Sequence, residues 1–264
     1  MSRSSPIPAA AAPADLDALR ALLIGLRLER AAEALPAVLS DAVKDNLNPP
    51  DFLRRLLGVE SDGREESRIR TSLKLSGLPL GPTLATFDFA FQPAIERSRI
   101  EMLATGQWIR DRQSLLLLGP PGVGKTHLAV ALGVAAVERG LSTTYFRVEE
   151  LLHALRQDAR TPPAHLKRRK YMNSALLIID EVGFEPFSRE DANLFFRLVS
   201  YRYQRGAICI TSNKAIRDWP EMLAGDETLA AAILDRLLHA SHVLAIKGRS
   251  YRLRDLEATL TNRA

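Results

Sequence analysis

The sequence predicts an α/β fold, a parallel sheet flanked by helices, behind a small all-α front end. Three observations point there. From residue 112 onward, short apolar runs alternate with helix-forming stretches. The first run, Leu115–Leu118, ends in a glycine-rich loop that opens directly into a helix. From Asp15 to about Pro79 there is no strand pattern. Strands that alternate with helices pair in parallel through right-handed crossovers, and strands buried on both faces read as continuous apolar runs.

The 264 residues suffice for one large domain or a domain with an appendage. Residues 1–14 are rich in Ser, Pro and Ala, lack a leucine-rich signal core, and read as a disordered tail. Leu16, Leu19, Leu22, Leu23 and Leu26 recur at three- and four-residue steps, the signature of an amphipathic helix. Leu28–Leu47 continues the helical pattern, with Pro36 expected to break or kink it. Pro49-Pro50-Asp51 is a helix start, with Phe52, Leu53, Leu56 and Leu57 on the apolar side. Glu65–Leu75 reads as a fourth helical piece, closed by Ser76-Gly77-Leu78-Pro79. These pieces make a helical domain over residues 15–80, followed by a second domain over residues 81–264. Arg64, Arg68, Arg70 and Lys74 form either a solvated face or a contact to phosphates or an acidic partner.

Pro93–Gly106 reads as a further helix, and β-branched or apolar runs then mark strands at Leu115–Leu118, Ser142–Val148, Ala175–Ile179, Ala207–Thr211 and His242–Ile246. Helices fill the gaps, among them Glu149–Arg160 and Arg189–Arg202. In such sheets ligands sit at the carboxyl ends of the strands, so functional polar residues should follow each run.

They do. Gly119-Pro120-Pro121-Gly122-Val123-Gly124-Lys125-Thr126, then His127, follows the first run and has the P-loop pattern. Its glycines let backbone N–H groups turn inward around phosphate oxygens, at the positive end of the next helix. Lys125 would reach the β- and γ-phosphates of ATP, and Thr126 would ligate Mg²⁺. Asp180-Glu181 follows the third run: Asp180 to hold Mg²⁺, Glu181 to polarise the attacking water. Thr211-Ser212-Asn213 closes the fourth, with Asn213 in reach of the γ-phosphate or its water, or else simply forming a turn. Leu84–Phe91 places three aromatics at alternate positions, to pack on the core as a linker or to face an adenine ring.

Arg236 ends a helix; it either pairs with Asp235 and the helix C-terminus or enters a neighbouring subunit's site as an arginine finger. Arg252 follows the last strand and is a candidate phosphate contact in its own subunit. Lys167-Arg168-Arg169-Lys170, with Arg156 and Arg160, is a basic run that either is solvated or meets a DNA backbone; nothing in it implies base readout. The net charge of +5 and pI of about 9.5 favour a polyanionic partner. No apolar run is long enough to cross a membrane. The single cysteine, Cys209, excludes an internal disulfide, fits a reducing cytosol, and sits in an apolar run as a small buried hydrophobe. A small-molecule kinase would need a phosphoacceptor pocket and an arginine-rich lid, and neither pattern is present.

Gly119–Thr126, Leu177-Ile178-Ile179-Asp180-Glu181, Thr211-Ser212-Asn213 and Asp235-Arg236-Leu237 together resemble the AAA+ ATPases. Thr86-Phe87-Asp88-Phe89, the extended loop through His127-Leu128-Ala129, and Ser250-Tyr251-Arg252 are similar to the IstB/DnaC branch. The helical front end looks most like IstB, the helper ATPase of insertion-sequence transposition, over about Asp15–Leu256. The resemblance implies a bacterial cytoplasmic ATPase with Mg-ATP on Lys125, Thr126 and Asp180, hydrolysis through Glu181, and Asn213 as first sensor. It makes Arg236 the intersubunit finger and Arg252 the second sensor. It further implies ATP-dependent self-association on duplex DNA and recruitment of an IstA-like transposase, with a DnaC-like helicase loader as the alternative. Only Arg249–Ala264 follows the last strand, so no C-terminal lid is expected, which puts the Arg252 role in question.

Overall fold

The computed structural model describes residues 15–253, apart from the side chains of Pro163, Ala164 and Arg252. The expected N-terminal tail and everything after Leu253 lie outside the described residues. The chain divides into two compact units, Met1–Arg70 and Thr71–Ala264.

The first unit is helical. Asp15 caps α1 (Leu16–Gly25), its side chain accepting from the Asp17 N–H. α2 (Glu29–Lys44) continues unbroken through Pro36. The expected break does not occur, because Ala31, Ala32, Leu35 and Val38 bury on both sides of the proline and hold the helix across its missing N–H. α3 (Pro49–Ser76) is one helix of 28 residues, where two pieces were expected; its last turns belong to the second unit. Gly58 and Gly63 weaken it locally but do not end it. At Gly63 a Cβ would lie 1.6 Å from the Arg30 guanidinium, so any side chain there would require that arginine to move. Glu60, nearly buried, accepts from the Arg30 and Ala31 N–H groups at the start of α2 and from Arg64. Arg68 pairs with Glu65. Two of the four expected basic side chains are therefore engaged inside the unit.

In the second unit the end of α3 is followed by α4 (Arg97–Ala104) and α5 (Gln107–Arg110). Then β1 (Ser114–Leu118), α6 (Lys125–Glu138), β2 (Thr143–Arg147), α7 (Val148–Asp158), α8 (Pro163–Leu166), α9 (Lys170–Asn173) and β3 (Leu176–Val182) follow. The series closes with α10 (Arg189–Arg202), β4 (Ala207–Ser212), α11 (Trp219–Met222), α12 (Glu227–Leu238) and β5 (Ser241–Ala245). All strand pairs are parallel, in the order β2-β3-β4-β1-β5.

Alternation along each strand divides the core. Leu115, Leu117, Ile178 and Cys209 pack on one face against α4 and α6; Leu116, Leu118, Leu177, Ile179, Ile208 and Ile210 pack on the other against α7, α10 and α12. Both faces are covered, which is why these strands read as unbroken apolar runs. Arg202 is fully buried and staples the amino ends of the sheet, donating to the carbonyls of Tyr171, Ser174 and Ala207.

Candidate nucleotide site

β1 hands the chain to the loop over residues 119–124, and α6 takes it up at Lys125. Two glycines show why the loop needs that residue. At Gly119 φ is 152°, and a Cβ would stand 2.2 Å from the Ile246 carbonyl oxygen, a backbone atom with nowhere to go. At Gly124 φ is 95°, and a Cβ would meet the Phe87 ring at 2.8 Å. Gly124 is also the N-cap of α6, so the first N–H groups of that helix face the loop without a capping side chain. Lys125 Nζ donates to the Gly119 and Pro120 carbonyls, 2.7 Å from each, and so lies curled over the loop. Val123 faces inward, fully buried.

The sheet order brings the other polar residues alongside. β4 lies between β1 and β3, so Asp180, Thr211 and the loop meet at neighbouring strand ends. Asp180 is 1% exposed and gathers three hydroxyls. Thr126 donates to Oδ1 at 2.9 Å, Thr211 donates to the same oxygen, and Tyr145 donates to Oδ2 at 2.7 Å. Burial, reinforced by the bond to Asp180, pushes the Tyr145 phenol up.

Glu181 has φ 64°, at the irregularity in the β3–β4 pairing between Ile179 and Val182. Its N–H donates to Thr211 Oγ1 at 2.9 Å. This left-handed step lets Val182 return to the core while Glu181, half exposed, faces the cleft. Arg147 Nε stands 4.0 Å from Glu181 Oε2. The nearby Tyr145 phenol, then the Glu181 charge, hold that guanidinium above its ordinary value.

A cleft of about 370 Å³ runs along the loop, Glu181 and Thr211. Pro121, Gly122, Lys125, Thr126, Glu181 and the exposed Asn213 line one part of it; Thr86, Phe87, Gln92 and Tyr251 line another. Of the three alternate aromatics only Phe87 reaches the cleft, set edge-on to Phe89 and His127. His127 Nε2 lies 2.9 Å from the Thr83 carbonyl. Tyr251 N–H donates to the Gly122 carbonyl, tying the segment after β5 to the loop. Arg252 belongs to the same 3-10 turn, but its side chain is outside the described residues.

The structure does not bring Arg236 to this cleft. It sits at the opposite, amino ends of β1 and β4, lining a pocket of about 160 Å³ with Ser114 and Ile208. Its Nη1 donates to the Ala232 carbonyl, and its guanidinium lies 5.0 Å from the Phe196 ring centre. The basic run is also divided. Arg156 pairs with Asp191, Arg169 with the buried Asp158, and Lys170 donates to the Leu75 carbonyl. Arg160, Lys167 and Arg168 are exposed.

Sequence reasoning missed Tyr145 and Arg147, which meet Asp180 and Glu181 from the neighbouring strand. It ranked Thr211 below Asn213, although Thr211 organises both acidic residues. The only local signal was a polar-tipped aromatic and an arginine two residues apart, at the end of a buried strand.

A five-stranded parallel sheet, a glycine-rich loop at the end of β1 and an acidic pair on β3, across the central β4, define an ATP-binding P-loop protein of the AAA+ class. The chain belongs to the IstB-like ATP binding protein family, which it matches over residues 21–259. It is 42% identical over 237 residues to a protein of insertion sequence IS21 from Pseudomonas aeruginosa, covering 90% of this chain and 89% of that one. It is 39% identical over 230 residues to a protein of insertion sequence IS5376 from Geobacillus stearothermophilus, covering 87% and 91%. In fold it is similar to the crystal structures of the DnaC helicase loader (TM-score 0.50, 22% identity, 63% of this chain and 97% of that one) and of DnaI (0.51, 22%, 62% and 90%). No helix among the described residues is long and apolar enough to cross a membrane.

Proposed function

We propose that this chain is a Mg²⁺-dependent ATPase that assembles on duplex DNA in its ATP-bound form and recruits a transposase to that DNA. The observation that carries the reading is the convergence of Thr126 and Thr211 on Asp180 beside a loop whose turns require glycine at 119 and 124. The site fits magnesium: a hydroxyl and a carboxylate, both hard oxygen donors, stand together next to the phosphate loop. Bound Mg²⁺ would neutralise charge on the phosphate oxygens. Lys125 leaves its carbonyl partners to reach the β- and γ-phosphates, Glu181 takes a proton from the attacking water, and Asn213 orients that water.

Arg236 cannot serve its own cleft from the far end of the sheet, which supports its action in a neighbouring subunit. Arg160, Lys167 and Arg168 are the side chains best placed to meet DNA phosphates, while Arg156, Arg169 and Lys170 brace that region. The insertion-sequence origin of the relatives supports a transposase as the partner. We place the working helical domain at residues 15–80.

Electron microscopy of the full chain with duplex DNA and a nonhydrolysable ATP analogue tests this. Assembly on duplex that needs the analogue is expected, and Lys125→Ala should abolish it. Assembly that ignores nucleotide overturns the proposal. Preference for single-stranded DNA together with capture of a hexameric helicase would replace it with the loader reading.

A further inference from the structure

We propose that Tyr145 is a positioning residue for the magnesium–nucleotide site: its hydroxyl locks Oδ2 of Asp180, so that the carboxylate keeps one fixed face toward the metal. The proposal rests on the reading that Asp180 holds Mg²⁺.

The geometry is specific. Tyr145 lies in β2, the edge strand beside β3, opposite Ile178 in the pairing register. It is only 8% exposed, yet its hydroxyl reaches two residues further along β3 and donates to Asp180 Oδ2 at 2.7 Å. Oδ1 is already committed to Thr126 from α6 and Thr211 from β4. Three elements thus hold one buried carboxylate, and each of its oxygens has at least one hydroxyl donor. Thr126 and Thr211 line the cleft, where bound nucleotide and metal would compete for their hydroxyls. Tyr145 does not line it. It is therefore the donor that stays in place when the site fills, and the one that fixes rotation of the carboxylate about its last torsion.

A second contact makes the placement more than a packing accident. Arg147, two residues along the same strand face, places its Nε 4.0 Å from Glu181 Oε2. One short segment of β2 so touches both consecutive acidic residues of β3, from the side away from the phosphate loop. Phenylalanine would fill the same space and lose only the donor. Preorganised ligands hold a metal better than ligands that must be ordered on binding, so loss of the donor should weaken the metal and leave metal-free contacts alone.

The test is Tyr145→Phe in the full chain, read by binding of a fluorescent ATP analogue during a Mg²⁺ titration. The half-saturating Mg²⁺ concentration should rise about tenfold, as expected when a hydrogen bond that orients a metal ligand is lost. Nucleotide affinity in excess chelator should stay within about twofold of the parent. Three outcomes overturn the proposal: an unchanged Mg²⁺ requirement in a folded variant, an equal loss with and without Mg²⁺, or a variant that does not fold. The last two assign the hydroxyl to the fold alone. If the parent itself binds nucleotide without regard to Mg²⁺, the metal reading of Asp180 falls first, and that result is seen before the variant is measured.

Discussion

Thr211→Val removes one hydroxyl and almost no volume, and it should cost both stability and turnover. Thr211 is 1% exposed, donates to Asp180 Oδ1 and accepts the Glu181 N–H at 2.9 Å. The bond to a carboxylate is worth about 1.5–3 kcal/mol and the neutral one about 0.5–1.5 kcal/mol, so the variant should lose about 2–4.5 kcal/mol. Valine also leaves the Glu181 N–H unpartnered at a residue already held at φ 64°. For a unit of the size of Thr71–Ala264, each kcal/mol moves Tm by about 2–4 °C, giving a fall of about 5–15 °C. Glu181, freed from its tether, should turn over ATP at least about tenfold more slowly. Thermal denaturation with an ATPase assay reads both, and Thr211→Ser, which restores the hydroxyl, should recover most of each. A Tm within about 2 °C of the parent, with hydrolysis within about twofold, would refute the reasoning, because neither bond could then carry weight.

Glu181→Gln should bind ATP within about threefold of the parent while losing turnover by about 100-fold or more, measured by nucleotide titration and phosphate release. Gly119→Ala should abolish nucleotide binding and lower Tm, because its Cβ would stand 2.2 Å from the Ile246 carbonyl oxygen; binding isotherms and melting curves check it. Burial works against ionising Asp158, but hydrogen bonds from Tyr171 and Arg169 prevail and hold its carboxyl below the ordinary 3.8. The stability it adds is therefore complete above about pH 4 and drains away as the pH falls through its lower folded value. Urea unfolding of parent and Asp158→Asn should show a gap that is level from neutral pH to about pH 5 and narrows below pH 4; a gap that widens on acidification would reverse the assignment.

The sheet was legible because its strands are buried on both faces, so their apolar runs carry the signal without help from neighbours. The phosphate loop was legible for a different reason: its chemistry needs glycines, a lysine and a threonine at fixed spacing, whatever surrounds them. The helical front end was less so. Pro36 reads as a break or kink and residues 49–75 as two separate pieces, but burial of Leu35, Val38 and Leu56 carries both helices through. Local propensity loses there to contacts that no local window contains.

The same limit governs the site. Strand order is a property of pairing, and nothing inside β1, β3 or β4 states that β4 lies between the other two. Yet that order gives Thr211 its place. With β4 central, the Ser212 carbonyl accepts the Gly119 N–H on one side, while Thr211 binds Asp180 and the Glu181 N–H on the other. The end of β4 is thus hydrogen-bonded at once to the phosphate loop and to both acidic residues. A change in any one of the three must be felt by the other two. Asn213, which local reasoning favoured, stands exposed one residue beyond Ser212, above the buried Thr211 and Ser212.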